Sequence, residues 1–438
     1  MTKISDMRKY LSTSLSIALF LIFLYTLITN VLNVPSFDDY DTTLNFIRRF
    51  YFDNSLFSER LETLFGRHNE HRIFFSKLTA ATYYGLFHRI NFAHLVLFQN
   101  IFLLAFFGLM LAVMKGQKLL FPETVLIACI FLFSLSFWQV TYYFWGGIQH
   151  YVVFFFSFLS LYMLNKAFRS TGIHFCLAVL AAAVAVFSFG NGFITLLLGG
   201  FLLVVQKKWP LLMFWAVISA MLLGVTFFVE PSVDASAHTA FNPEWMARLL
   251  FTFMGSFLFV NPPEGQYINI IFCMVVGFAV LGIWIWLFFK GYAFRNPLLY
   301  CLLSLPVLTG IIISISRFET KAAGGIAPRY MFFTATIPII LVLILLDLNI
   351  VKKHHLKYVI PFGLLVWGAV FYNNKIALQQ NNNELMTTIS RWEKDRNTPL
   401  IYYKDSGTYS EILQWATDHE VIDVQSSEKS YFNDTNRK

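Results

Sequence analysis

Three carboxylates, Asp38, Asp39 and Asp41, fall in the run Pro35-Ser36-Phe37-Asp38-Asp39-Tyr40-Asp41. A carboxylate that removes a proton from a hydroxyl must be held within hydrogen-bond reach of it. Asp38 and Asp39 are adjacent, so on most backbones they point different ways and only one faces a given substrate atom. Asp41 shares a face with either neighbour, depending on local structure. The same run also suits a solvated loop that caps a helix starting near Thr42, since Asp is a favoured cap. Its position favours chemistry: it abuts the end of the first apolar segment, where charge is costly and marks function.

A second constellation is Arg67-His68-Asn69-Glu70-His71-Arg72. Its His-x-x-His spacing differs from the His-Glu-x-x-His of zinc proteases. His71 and Arg72, heading an amphipathic stretch that contains Lys77, suit an anionic group; ordinary interfacial charge reads the same way. A third is Arg317, Lys321 and the glycine-rich run that ends Pro328-Arg329-Tyr330. Arginine grips phosphate through a planar fork of donors and lysine as a point charge. A snorkelling arginine beside a belt tyrosine is the plain alternative. Trp145 and His150 head an apolar segment, where an aromatic face suits a sugar or simply the interface. Asn191, in Gly-Asn-Gly, reads as a turn residue.

The elements that must position these groups are membrane spans. Of 438 residues, 57% are hydrophobic and 13% charged, and 50 are Phe; mean hydropathy is +0.59. Soluble domains carry about 25% charged residues. A span needs about 20 apolar residues. That rule places about eleven, near 11–30, 93–114, 119–137, 150–166, 173–189, 192–206, 210–229, 268–289, 297–315, 331–350 and 358–372. With the N-terminus inside, the inner segments carry Lys115/Lys118, Lys207/Lys208, Lys290/Arg295 and Lys352/Lys353, as the positive-inside rule requires. The net charge of +8 is spread over these clusters, so nucleic acid is not an expected partner. The basic N-terminus followed by apolar residues lacks a small-residue cleavage site and reads as a retained span. The four cysteines, Cys129, Cys176, Cys273 and Cys301, lie in apolar segments and imply no disulfide.

Two regions outside the spans stand out. The first outer loop, 31–92, is rich in ionisable groups, and its second half, Ile73 to Ile90, fits a helix in the interface plane. From about 373 to 438 the chain reads as a small extracytoplasmic domain of α/β type: strand (Leu400 to Tyr403), helix (Glu411 to His419), strand (Val421 to Val424).

This layout resembles the GT-C class of polytopic glycosyltransferases, with a first span, an acidic motif just outside it, interfacial helices and many further spans. Phe37-Asp38-Asp39 is similar to the Phe-Asp-Glu of protein O-mannosyltransferases. Glu70-His71 loosely resembles their second acidic motif, without its prolines. Ala327-Pro328-Arg329-Tyr330 resembles the Arg-Tyr entering a late span in aminoarabinose transferases. The long outer loop and outer tail look like those of serotype-converting O-antigen glucosyltransferases.

The resemblance implies an all-α, GT-C-like membrane domain over 1–372. It implies a polyprenyl-phosphate-linked sugar as donor, and a glycan or lipid-linked acceptor, at the outer face of a bacterial inner membrane. The N-terminus would be cytoplasmic and the C-terminus periplasmic. Asp38 would act as base, with Asp39, Asp41 and Glu70 as further candidates. His68, His71, Arg72, Lys77, Trp145, His150, Arg317, Lys321, Arg329 and Tyr330 would meet substrate. No metal is required, though adjacent acids suit Mg or Mn. Two rival readings remain, a flippase or transporter of lipid-linked glycans and an O-antigen polymerase or ligase. A transporter should carry ionisable groups at mid-membrane depth, and these spans are nearly free of them.

Overall fold

The computed structural model describes residues 2–68, 71–167, 172–228, 241–319, 327–400 and 406–423. The chain begins with the long apolar helix α1 (Thr2–Asn30). The first loop follows, with two π-helical turns, Tyr40–Asn45 and Arg48–Asp53. It continues through α2 (Phe57–Phe65), the short strands β1 (Arg67–His68) and β2 (His71–Arg72), and α3 (Phe74–Phe87). A helix, α3, therefore covers most of the stretch Ile73 to Ile90. His88 closes it in the left-handed conformation, as a helix end often requires.

Helices then carry the rest of the described chain. They are α4 (Phe92–Gly116), α5 (Pro122–Leu132), α6 (Trp138–Tyr142), α7 (Phe144–Ala167) and α8 (Ile173–Ser188). After them come α9 (Ile194–Val205), α10 (Trp209–Phe228), α11 (Pro243–Gly255) and α12 (Gln266–Phe289). Last are α13 (Tyr292–Arg295), α14 (Pro297–Arg317), α15 (Met331–Asp347), α16 (Leu356–Lys394) and α17 (Ser406–Asp418). Among the described residues, eight helices are long and apolar enough to cross a membrane. The remaining three expected segments form shorter apolar helices, Pro122–Leu132, Ile173–Ser188 and Gly190–Val205. The protein is thus all-α and of multi-pass membrane type.

The short helices are stabilised by packing against their neighbours, because an eleven-residue helix spans only about 16 Å. Past α5 the backbone unwinds, and α4 supplies partners for the freed carbonyls. Gln99 Nε2 donates to Val140 O at 2.9 Å and Tyr143 O at 3.2 Å, and Asn100 Nδ2 donates to Thr141 O at 2.8 Å. Unpaired backbone groups in lipid cost several kcal/mol each, so two buried amides are well placed here. Gly147 permits the approach: a Cβ there would lie 2.1 Å from Gln99 Nε2. On the other side of the molecule α11 and α12 cross at Gly255 and Gly277. A Cβ on either would sit 1.9 Å from a carbonyl oxygen of the facing helix, the small-residue packing common between spans.

Contacts sort the loops onto two ends. Asn296 Nδ2 donates to Gln117 Oε1 (2.9 Å), Lys353 pairs with Glu123 (3.5 Å), and Gln206 donates to Asn165 (3.0 Å). These lysine- and arginine-bearing connections therefore share the basic end. The first loop lies at the other end, joined to the tail.

The expected boundary at 372 falls inside a continuous helix, since α16 runs 39 residues. Its asparagines dock it rather than break it. Asn382 bonds to Asn30 O (2.8 Å) and Tyr143 Oη (3.0 Å), and Asn373 Nδ2 to Val260 O (2.7 Å). α17 then packs on the first loop, with Tyr409 against Tyr40 (5.3 Å between ring centres) and Trp415 against Phe52 (5.0 Å). The helix of the expected strand–helix–strand tail is present. Of the strands, Ile401 to Tyr403 and Val424 lie outside the described residues. Ile422 forms one parallel bridge to Ile90, and Ile90 N donates to Val421 O at 2.7 Å.

Candidate functional site

The acidic motif is built on a tight reversal after α1. Phe37 holds φ +47°, a left-handed conformation uncommon for a bulky residue and frequent at functional sites. Its ring is fixed by Trp145 (5.3 Å) and Tyr143 (5.9 Å). The turn closes twice. Asp39 N donates to Ser36 O at 3.0 Å, and Ser36 N donates to Asp39 Oδ2 at 3.0 Å. Asp39 is consequently buried (1% exposed). Burial, with the neighbouring Asp38 charge, pushes its carboxyl well above the usual carboxylate range. The Ser36 N–H and the Trp145 backbone N–H, at the start of α7, act in the opposite direction.

Asp38, its neighbour, is not sequestered in this turn. It is half-buried. Its carbonyl receives Thr42 N and Oγ1, both at 2.8 Å, while its carboxylate has no hydrogen-bond or ion-pair partner among the described residues. Asp41 turns to the second constellation: Oδ2 lies 3.0 Å from His68 Nδ1, and Oδ1 accepts Asn45 Nδ2 at 2.7 Å. The His68 bond, aided by Asn45 and the Arg49 charge, holds the Asp41 carboxyl down at about 2. The three carboxylates thus occupy three environments: sequestered, accessible and paired.

His68 is the link to a cavity. It sits beside Arg67 on β1, opposite His71 on β2. Arg67 and Arg72 reach across to the end of α10, where the Arg67 guanidinium donates to Thr226 O and Arg72 Nη2 donates to Val225 O at 3.2 Å. Arg72 also donates to Phe65 O. Cations at a helix C-terminus satisfy its last carbonyls. A guanidinium has five donors, and Arg67 Nε has no partner among the described residues. Both arginines line a cavity of about 200 Å³, with Arg317 at the end of α14, Tyr330, Phe189 and Asn191. Among the described residues no carboxylate lines it.

The aromatic and basic candidates close the gap between cavity and acidic motif. The Arg329 guanidinium lies over the Trp145 ring (5.4 Å) and the Tyr330 ring (5.1 Å). Trp145 is buried, touches Phe37, and leaves its indole N–H without a partner among the described residues. His150 stands behind the cavity wall, bonded to Gly146 O and stacked on Phe333 at 5.0 Å. Its ring centre lies 4.8 Å from Phe189 and 6.0 Å from Tyr330. Two routes therefore join the acids to one cavity: Asp41–His68 with its neighbour Arg67, and Asp39–Trp145–Arg329–Tyr330.

Not every candidate converges. Lys77 is buried and donates to Thr63 O (2.8 Å) and Gly66 O (2.7 Å), so its ammonium ties α3 to the end of α2. Glu70 and Lys321 lie outside the described residues. Among the described residues no three His, Cys, Asp or Glu groups are placed to hold a metal. The divalent ion considered for the acids would rest on Asp38 and Asp39, whose carboxylates occupy different environments. Asn191 belongs with the site, although its Gly-Asn-Gly setting suggests only a turn. Its Nδ2 donates to Thr309 Oγ1 at 3.1 Å, and its buried Oδ1 has no partner among the described residues.

The arrangement offers one accessible carboxylate and, within connected contacts, a compact cationic cavity at the loop end of a membrane protein. No family model, curated protein or solved structure matches the chain.

Proposed function

We propose that the protein is a membrane glycosyltransferase of GT-C type. It would move a sugar from a polyprenyl phosphate donor to a glycan or lipid-linked acceptor. The observation that carries this reading is the arginine-lined cavity joined by contact to the acidic motif. Its volume, about 200 Å³, is below the roughly 300–1,000 Å³ of sites that enclose drug-sized ligands. It suits a headgroup whose lipid chain remains outside.

Asp38 takes the proton of the acceptor hydroxyl, the oxygen attacks the anomeric carbon, and the bond to the donor phosphate breaks. The departing phosphate stays anionic and is received by Arg317 and the two β-strand arginines, with Arg329 stacked nearby. Arginine forks suit this charge-assisted role. A single displacement with one base needs no second catalytic carboxylate of the glycosidase kind. Asp39 positions the turn that carries Asp38. By the positive-inside rule, the basic end is cytoplasmic and the site faces outward.

The test is mass spectrometry of surface glycans and lipid-linked sugars in cells with and without the gene, complemented by wild type or by Asp38→Asn. Loss of one sugar modification, with its lipid-linked donor accumulating, supports the reading. Unchanged glycans with altered sidedness of a lipid-linked glycan would replace it with a flippase, and loss of polymer length with a polymerase.

A further inference from the structure

We infer that Asn191 reads the sugar of the donor, through a hydrogen bond accepted from a ligand hydroxyl or amide N–H next to the phosphate. The inference rests on the proposed polyprenyl phosphate reading and deepens it from an anion site to one for a glycosyl phosphate.

Asn191 is 6% exposed and lies in the 3₁₀ turn Gly190–Phe193 between α8 and α9. That turn has little slack: a Cβ on Gly192 would sit 2.1 Å from Ala185 O. Its amide is oriented by Thr309 on α14, 118 residues away, which receives Nδ2. The Oδ1 atom is left without a partner among the described residues while the residue lines the cavity. A buried polar atom without a hydrogen bond is costly, and this one borders a cavity that a ligand can enter.

The chemistry of the cavity says what that ligand must offer. Its guanidiniums only donate, so the anionic part of the ligand belongs to them. Asn191 Oδ1 only accepts, and a fully ionised phosphate ester has no proton to give it. A bare polyprenyl phosphate therefore lies against the arginines and leaves Oδ1 unpaired. A hexosyl phosphate carries a hydroxyl, or an acetamido N–H, on the carbon beside the one bearing phosphate. It satisfies both. A site built to receive a ligand's hydrogen bond discriminates strongly against the analogue that lacks it.

The test uses the full-length protein in detergent or nanodiscs, with three short-chain probes followed by tryptophan fluorescence and thermal shift. The probes are polyprenyl phosphate, polyprenyl glucosyl phosphate and its 2-deoxy analogue. The wild type should bind the glucosyl probe roughly tenfold more tightly than the other two. Asn191→Leu should abolish that preference while holding the bare phosphate as the wild type does. Thr309→Val, which leaves Asn191 in place but frees its amide to turn over, should reduce the preference and serves if Asn191→Leu fails to fold. Asn191→Asp should weaken all three probes by adding negative charge to the cavity. A wild type that binds bare phosphate without preferring the sugar, or a preference that survives both Asn191→Leu and Thr309→Val, overturns the inference and leaves the polyprenyl phosphate reading standing. No binding of any probe by the wild type overturns both.

Discussion

The two ends of the molecule use charge in opposite ways. At the basic end the acids are answered locally. Asp347 accepts Tyr292 Oη (2.8 Å), Arg295 Nη2 (3.2 Å) and Asn296 Nδ2 (3.2 Å), and Glu123 pairs with Lys353. At the loop end Asp41 is likewise paired, with His68 at 3.0 Å, but other charged groups are arranged differently. The Asp38 carboxylate has no partner among the described residues, and Arg67, Arg72 and Arg317 line one cavity with Asn191 and Tyr330. Paired charge holds helices together, whereas charge directed at a space can meet a ligand. The contrast separates the two ends where charge density does not, because both are rich in ionisable residues.

The sharpest way to break this comparison is Asp38→Asn. Loss of a general base costs about 10²–10⁴-fold in rate, so sugar transfer should fall by that much at unchanged membrane level. Full activity would move the catalytic assignment away from the accessible acid. Arg317→Ala comes next. A charge-assisted hydrogen bond is worth about 1.5–3 kcal/mol, so donor binding should weaken roughly ten- to hundredfold, read as a rise in KM for donor. Arg329→Lys keeps the charge but loses the planar stack on Trp145 and Tyr330. A cation–π contact contributes about 0.5–2 kcal/mol, and a few-fold to thirtyfold loss is expected.

Asp39→Asn should behave unlike its neighbour. The folded-state pKa of Asp39 is raised, so its ionised form opposes folding above the unfolded value near 4, and the cost is relieved as pH falls through the folded value. The asparagine can still accept Ser36 N–H. Thermal unfolding at pH 8 should therefore show equal or greater stability than wild type, a difference that shrinks toward acid pH. A large loss of stability would mean that Asp39 is ionised and held by its two N–H partners. Asp41 has the opposite sign: its stabilising link to His68 is present above pH 4 and fades as pH falls through about 2. At the basic end, Asp347→Asn should leave transfer untouched and cost about 1 kcal/mol or less, since the ion pair is half-exposed. Activity loss there would erase the distinction between the ends.

The acidic cluster, the apolar segments and the basic loops were legible in sequence because each is a local pattern. What escaped was non-local. Arg67 meets α10 across 159 positions and Asn191 meets Thr309 across 118, and no local motif announces either. Lys77 reads as a ligand group because its actual partners are backbone carbonyls, which leave no trace in side-chain identity. The Asn-rich stretch after 372 reads as helix-like but as the start of a separate tail, beyond the last span. Its amides find tertiary partners on the membrane domain, so span and tail share one helix.

The eleven-residue α5 and the unwound segment after it carry a consequence for biogenesis. Handed alone to lipid, α5 would leave its ends unsolvated, and the carbonyls of Val140 and Thr141 would lack the Gln99 and Asn100 amides that meet them. α4 is made first and holds those amides ready. The segment from α5 to the start of α7 should therefore leave the insertion machinery only as a unit with α4, and the Trp145 end of the site is assembled during that step rather than after it.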